Sequence, residues 1–131
     1  MVINISAVKS KDFKTVRKEI EKIRSIATNQ ILKVIIEAEL LSEEEIINVC
    51  KIANEAEADF IKTSTGLSGM SPKISNINLI NKTVPNMKLK ASGGIKNYKI
   101  ANQLIVAGID RIGTSYGDLI MKEYKNHIKY V

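Results

Sequence analysis

Short β-branched runs alternate along this chain with longer stretches whose apolar residues recur every three or four positions. The alternation repeats five times. Val2-Ile3-Asn4-Ile5 is an apolar run at the start. Val16, Ile20, Ile23 and Ile26 then recur at helical spacing with charges between them. Ser10 is placed to cap that helix, with Asp12 in its first turn. Leu32-Lys33-Val34-Ile35-Ile36-Glu37 is too short for a typical helix and reads as a strand. Ser42 followed by Glu45 predicts a capping box, opening a helix with Ile46, Val49, Cys50 and Ala53 inward.

A third strand is expected from Phe60 towards Ser64. Ser71-Pro72 reads as an N-cap with proline at the first helical position. Ile77, Ile80 and Val84 form that helix's inner face, and Pro85 ends it. Met87-Lys88-Leu89-Lys90-Ala91 is the fourth strand. Asn97 caps the next helix, with Ile100, Ala101, Leu104 and Ile105 inward and Gly108 as its stop. Asp110-Arg111-Ile112-Gly113-Thr114-Ser115 gives a fifth strand and its exit. Leu119, Ile120 and Tyr124 suit a last helix.

Strict β-α alternation implies an α/β protein with a parallel sheet under helices. An open doubly wound sheet and part of a (β/α)8 barrel both satisfy it. No G-x-G-x-x-G follows the first strand, which disfavours a dinucleotide site. Five units fall short of the eight a closed barrel needs.

The 131 residues amount to one domain, and 44% hydrophobic content suffices for a core. No apolar run is long enough to span a membrane, and no signal peptide is read at the N-terminus. Cys50 is the single cysteine, so no internal disulfide forms, which fits a reducing cytoplasm. The net charge of +6 is spread among acidic residues without an aromatic-interleaved basic stripe. That argues against nucleic acid and suits a small anionic substrate. His127 is the only histidine, and no cluster of metal-ligand types is present. Tyr116, Tyr124 and Tyr130 read as packing residues.

The unusual residues collect at the strand ends, where parallel sheets bind ligands. Lys62 sits in the apolar run Ala58-Asp59-Phe60-Ile61-Lys62, and a buried strand rarely holds a charged lysine. Period-two alternation puts Phe60, Lys62 and Ser64 on one face, and Lys88, Lys90 and Ser92 on one face. If both faces line the barrel interior, strands about 4.8 Å apart bring Lys62 and Lys90 together. Each ammonium then disfavours the other's charge, and one becomes a neutral nucleophile able to attack a carbonyl. A lone strand-end lysine more often reaches out to solvent. Two on adjacent strands, each before a glycine turn, favour chemistry. Lys33 shares the parity and, with Glu37, is a supporting candidate.

Three glycine-bearing exits follow: Thr65-Gly66, Ser92-Gly93-Gly94 and Gly113-Thr114-Ser115. Glycine lets backbone N–H groups approach an anion, and a helix N-terminus adds positive potential. Any one of these is an ordinary turn. Together, beside paired lysines, they predict a phosphate site.

Five stretches resemble the deoxyribose-phosphate aldolase family, in family order. They are the opening residues 1–5, residues 32–37, Ala58 through the Lys62-Thr63-Ser64-Thr65-Gly66 turn, Lys90-Ala91-Ser92-Gly93-Gly94-Ile95, and Arg111 to Ser115. The resemblance implies a TIM barrel. It implies reversible cleavage of 2-deoxy-D-ribose 5-phosphate to D-glyceraldehyde 3-phosphate and acetaldehyde, in deoxyribonucleotide catabolism. Lys62 falls on the family's Schiff-base lysine and Lys90 on the second lysine. Gly66, Gly93, Gly94, Gly113 and Ser115 fall on phosphate-holding turns. No metal or organic cofactor is implied.

By the same resemblance, residues 1–131 are a partial barrel domain, strands four to eight. The family's catalytic aspartate would stand just before Met1. Leu67 replaces a phosphate-facing lysine of some members, and the segment from Gly66 to Lys90 is slightly short. Five strands leave open edges, so an isolated chain is expected to fold poorly or self-associate, with little activity. A partial barrel that only binds sugar phosphate, or assembles with another chain, is the alternative.

Overall fold

A computed structural model gives the fold and describes residues 1–67 and 69–128. The elements run α1 (Ile5–Lys9), α2 (Phe13–Ile26), β1 (Lys33–Ile35), a 3-10 turn (Ala38–Leu40) and α3 (Glu43–Glu55). They continue with β2 (Phe60–Lys62), α4 (Ile74–Thr83), β3 (Lys88–Ser92), α5 (Tyr98–Val106), β4 (Arg111–Gly113) and α6 (Gly117–Ile128).

The sheet is parallel with strands in chain order, β1-β2-β3-β4. A doubly wound sheet reverses its order part-way. Right-handed crossovers between strands that never reverse place every connecting helix on one face. The arrangement is therefore a stretch of (β/α)8 barrel wall, incomplete at four to five units.

The opening run is less than a strand. Val2 makes an isolated parallel bridge to Ile35, with Ile3 donating to the Ile35 carbonyl at 3.0 Å. Asn4 then ends the extension, because its side chain accepts from the Ala7 N–H and starts α1. The first of the five expected strands is thus held by a bridge alone.

Four capping expectations resolve differently. The Ser42–Glu45 box forms in full, and Asn97 accepts from the Ile100 N–H. Ser10, however, closes α1, and Asp12 is the cap of α2, accepting from the Thr15 N–H at 3.1 Å. Ser71 does not cap α4, whose N-cap is Lys73. The Ser71 hydroxyl lies instead against Gly94, where an added Cβ would stand 2.1 Å from it.

The helix face of the sheet carries Val34, Ile36, Ile61, Leu89 and Ala91, all buried with Ile46, Val49, Ile77 and Leu104. Each large aliphatic so placed contributes roughly 1.5–3 kcal/mol. Cys50 belongs to this core, and burial pushes its thiol up to about 12. Ile23 and Ile26, expected inward, are 40% and 75% exposed. The 14 residues of α2 span about 21 Å, whereas a three-residue strand spans about 10 Å, so the helix overhangs the sheet. Ile105 on α5 is likewise exposed.

The opposite face is cationic. Lys33, Lys88 and Arg111 lie over the Phe60 ring at 5.4, 5.9 and 4.9 Å from its centre. They cover the ring, which is why Phe60 is buried on the face that lacks helices. Of the three late tyrosines, Tyr124 packs against Tyr98 at 5.6 Å, Tyr116 is exposed, and Tyr130 lies outside the described residues.

Candidate active site

The strand register brings the two lysines opposite each other. Lys62 on β2 pairs with Lys90 on β3, two residues beyond the Phe60–Lys88 pair. Both open onto a cavity of about 430 Å³ at the C-terminal ends of the strands. Gly66, Gly93, Gly94, Gly113 and Ser115 line the same cavity. Lys62, Lys90 and the five residues expected at the anion therefore meet in one place, while the supporting candidates Lys33 and Glu37 do not line the cavity.

The Lys62 ammonium is held below the usual lysine range. Burial is the largest cause and the neighbouring Lys90 charge the second, while Glu37 acts in the opposite direction. A lysine in this state carries more neutral amine at a given pH than a solvated one.

Sequence reasoning missed the lock that shapes the floor. The Ser64 hydroxyl donates to the Ser92 carbonyl at 3.1 Å, and the Ser92 hydroxyl returns a bond to the Ser64 carbonyl at 2.6 Å. Ser64 Oγ also accepts from the Gly66 N–H at 2.9 Å. Both serines are buried, so these reciprocal bonds tie the two strand exits together. The signal was present as a serine at the same offset after each lysine.

Gly93 is required by close approach, and Gly113 is closely packed. Gly93 has φ +98°, and a Cβ there would stand 2.8 Å from the Met70 carbonyl oxygen. At Gly113 a Cβ would stand 3.0 Å from Lys90 Cε and 3.5 Å from its Nζ, so the Lys90 side chain crosses that strand where no side chain exists. Lys96 and Thr114 also line the cavity. Leu67 lines it too, with its side chain almost wholly exposed.

A profile of the DeoC/LacD family aldolases matches residues 1–122. The chain belongs to this family. It is 46% identical over 123 residues to a deoxyribose-phosphate aldolase of Streptococcus sanguinis (strain SK36), covering 93% of this chain and 56% of that one. It is 44% identical over 131 residues to a deoxyribose-phosphate aldolase of Lactococcus lactis subsp. cremoris (strain SK11), covering 99% and 60%. Among solved structures, the aldolase QR15 superposes with a TM-score of 0.89 at 42% identity, over 98% of this chain and 59% of that one. A deoxyribose phosphate aldolase of Aeropyrum pernix, described as tetrameric, gives 0.81 at 28% identity, over 88% and 51%. This DeoC/LacD chain thus spans a little over half the length of the relatives it matches. Among the described residues no helix is long and apolar enough to cross a membrane.

Proposed function

We propose that Lys62 is a Schiff-base nucleophile and that the chain carries the chemistry of a deoxyribose-phosphate aldolase. The observation that carries this is the Lys62–Lys90 pair in register over a glycine-lined cavity. In the cleavage direction the neutral Lys62 amine adds to the aldehyde carbon of open-chain 2-deoxy-D-ribose 5-phosphate. Loss of water gives an iminium cation. That cation accepts the electron pair of the breaking C2–C3 bond while the C3 hydroxyl releases its proton to solvent, its C–O bond becomes the aldehyde C=O, and D-glyceraldehyde 3-phosphate departs. Protonation and hydrolysis of the remaining enamine release acetaldehyde and restore the amine. Lys90 lowers the charge preference of Lys62 and is placed to exchange protons with the adduct. Gly66, Gly93, Gly94, Gly113 and Ser115 present backbone and hydroxyl groups to the phosphate. The protein acts in this reading within deoxyribonucleotide catabolism in the cytoplasm.

Incubation with acetaldehyde and borohydride tests the reading. An N-ethyl group on Lys62, mapped by peptide mass spectrometry, is the expected product, and its absence at all pH values rejects the nucleophile. Mapping matters because burial, then Lys62 and Lys33, also hold the Met1 amine below its usual value. Gly93→Ala should weaken 2-deoxyribose 5-phosphate binding roughly tenfold, about 1.4 kcal/mol, because a left-handed residue gains a Cβ against backbone. Isothermal titration measures it.

We place the chain on strands four to eight of the family barrel, with its other wall supplied by further polypeptide. Open edges favour this second aspect. The outer side of β4 has no strand partner among the described residues. Ile105, Val106, Leu119, Met121 and Ile128 stay exposed on α5 and α6. The isolated chain is expected to elute from size-exclusion chromatography as a dimer or larger species and to turn over slowly. A cooperatively melting monomer would overturn the expectation.

A further inference from the structure

We infer that Glu37 is a positioning residue of this site, fixing the exit turn of β2 and keeping a negative charge beside Lys62. The inference rests on the proposed role of Lys62 and adds a residue that role does not require.

Glu37 stands just beyond β1 in the left-handed region, with φ 49° and ψ 54°, which disfavours any residue bearing a Cβ. The conformation is clamped from both sides. The Ile36 N–H donates to the Lys62 carbonyl at 3.0 Å, and the Ala38 N–H donates to the Thr63 carbonyl at 2.8 Å. The twisted residue between them is 8% exposed, yet it bears a carboxylate. Its Oε1 accepts from the Thr65 N–H at 2.7 Å. Among the described residues no cation pairs with it within 4.0 Å.

A buried carboxylate in a strained residue is a costly way to satisfy one backbone N–H, which a neutral asparagine or serine could do. Its charge has a use one strand away. The Schiff base that Lys62 forms is a cation in a partly dry site, already facing Lys90. A fixed negative charge on the same side stabilises that cation as it develops. The hydrogen bond to Thr65 N holds the backbone that leads into Gly66, so one side chain couples the amine to the phosphate turn. The charged groups facing Lys62 are then Lys90 and Glu37, of opposite sign, and the Met1 amine, whose own charge Lys62 disfavours.

Glu37→Gln keeps an acceptor for Thr65 N and removes the charge. Its Lys62 amine, followed by NMR of ¹³C-dimethylated lysines, should titrate at lower pH than in the parent chain. Binding of 2-deoxyribose 5-phosphate should be little changed. Glu37→Ala loses both contacts and should also bind that sugar phosphate roughly fivefold more weakly. An unchanged Lys62 midpoint in Glu37→Gln overturns the inference. If neither variant folds by circular dichroism, the unaltered chain decides. The Thr65 amide should be protected from hydrogen exchange by its bond to Glu37, and a freely exchanging amide overturns the inference. Failure to trap acetaldehyde on Lys62 would reject the Schiff-base reading alone, because neither measurement depends on the reaction.

Discussion

Replacing Lys62 with methionine is expected to abolish the borohydride-trapped adduct and to lower any aldol cleavage by about 10⁴-fold or more. Methionine keeps the unbranched apolar stem of the side chain, one atom shorter, and has no nitrogen. The substitution is mild for the fold, because Lys62 lies on the sheet face away from the helices and is only half-buried. Lys62→Arg should be equally inert for a different reason. A guanidinium stays protonated at any working pH and has no free pair to offer a carbonyl. Unchanged circular dichroism with complete loss of trapping in both variants would place the chemistry on this amine. Trapping that persists elsewhere on the chain in Lys62→Met would identify another amine as the reactive one.

The position of the lysines was readable because strand parity is strict. A period of two allows Lys62 and Lys90 to face the same way only if both strands keep their register, and hydrophobic Ile61 and Leu89 hold that register by filling the core. Glycine turns were readable for a similar reason, since they mark places where backbone must approach backbone. What alternation could not decide was barrel against open sheet. Strand order is a property of how units wind around one another, and each β-α unit looks alike in either case. The caps at Ser10 and Ser71 were misplaced because a hydroxyl has several backbone or glycine partners within reach, and only packing chooses among them. Ser10 found the carbonyls of Ser6 and Ala7, and Ser71 found Gly94. Glu37 was visible only as a companion of Lys33, because its left-handed backbone breaks the alternation from which facing is inferred.

Lys90→Leu tests whether the pairing of cations matters beyond burial. Removing that ammonium leaves burial as the one cause lowering Lys62, with Glu37 still opposing it. The midpoint for trapping should therefore rise towards the ordinary lysine value. Below the midpoint the neutral amine falls tenfold for each unit that the midpoint rises, so trapping at neutral pH drops while trapping at alkaline pH recovers. Lys90→Arg separates the two parts Lys90 is given. It keeps the charge, so the midpoint should stay near the parent value. Its guanidinium cannot release a proton, so the step that exchanges protons with the adduct should slow at every pH. Glu37→Gln moves the same midpoint the other way, and the two shifts together fix the sign of each neighbour's charge on Lys62. A Lys90→Leu profile that coincides with the parent would mean that desolvation alone prepares the nucleophile, and that the register of β2 and β3 serves the proton transfer only.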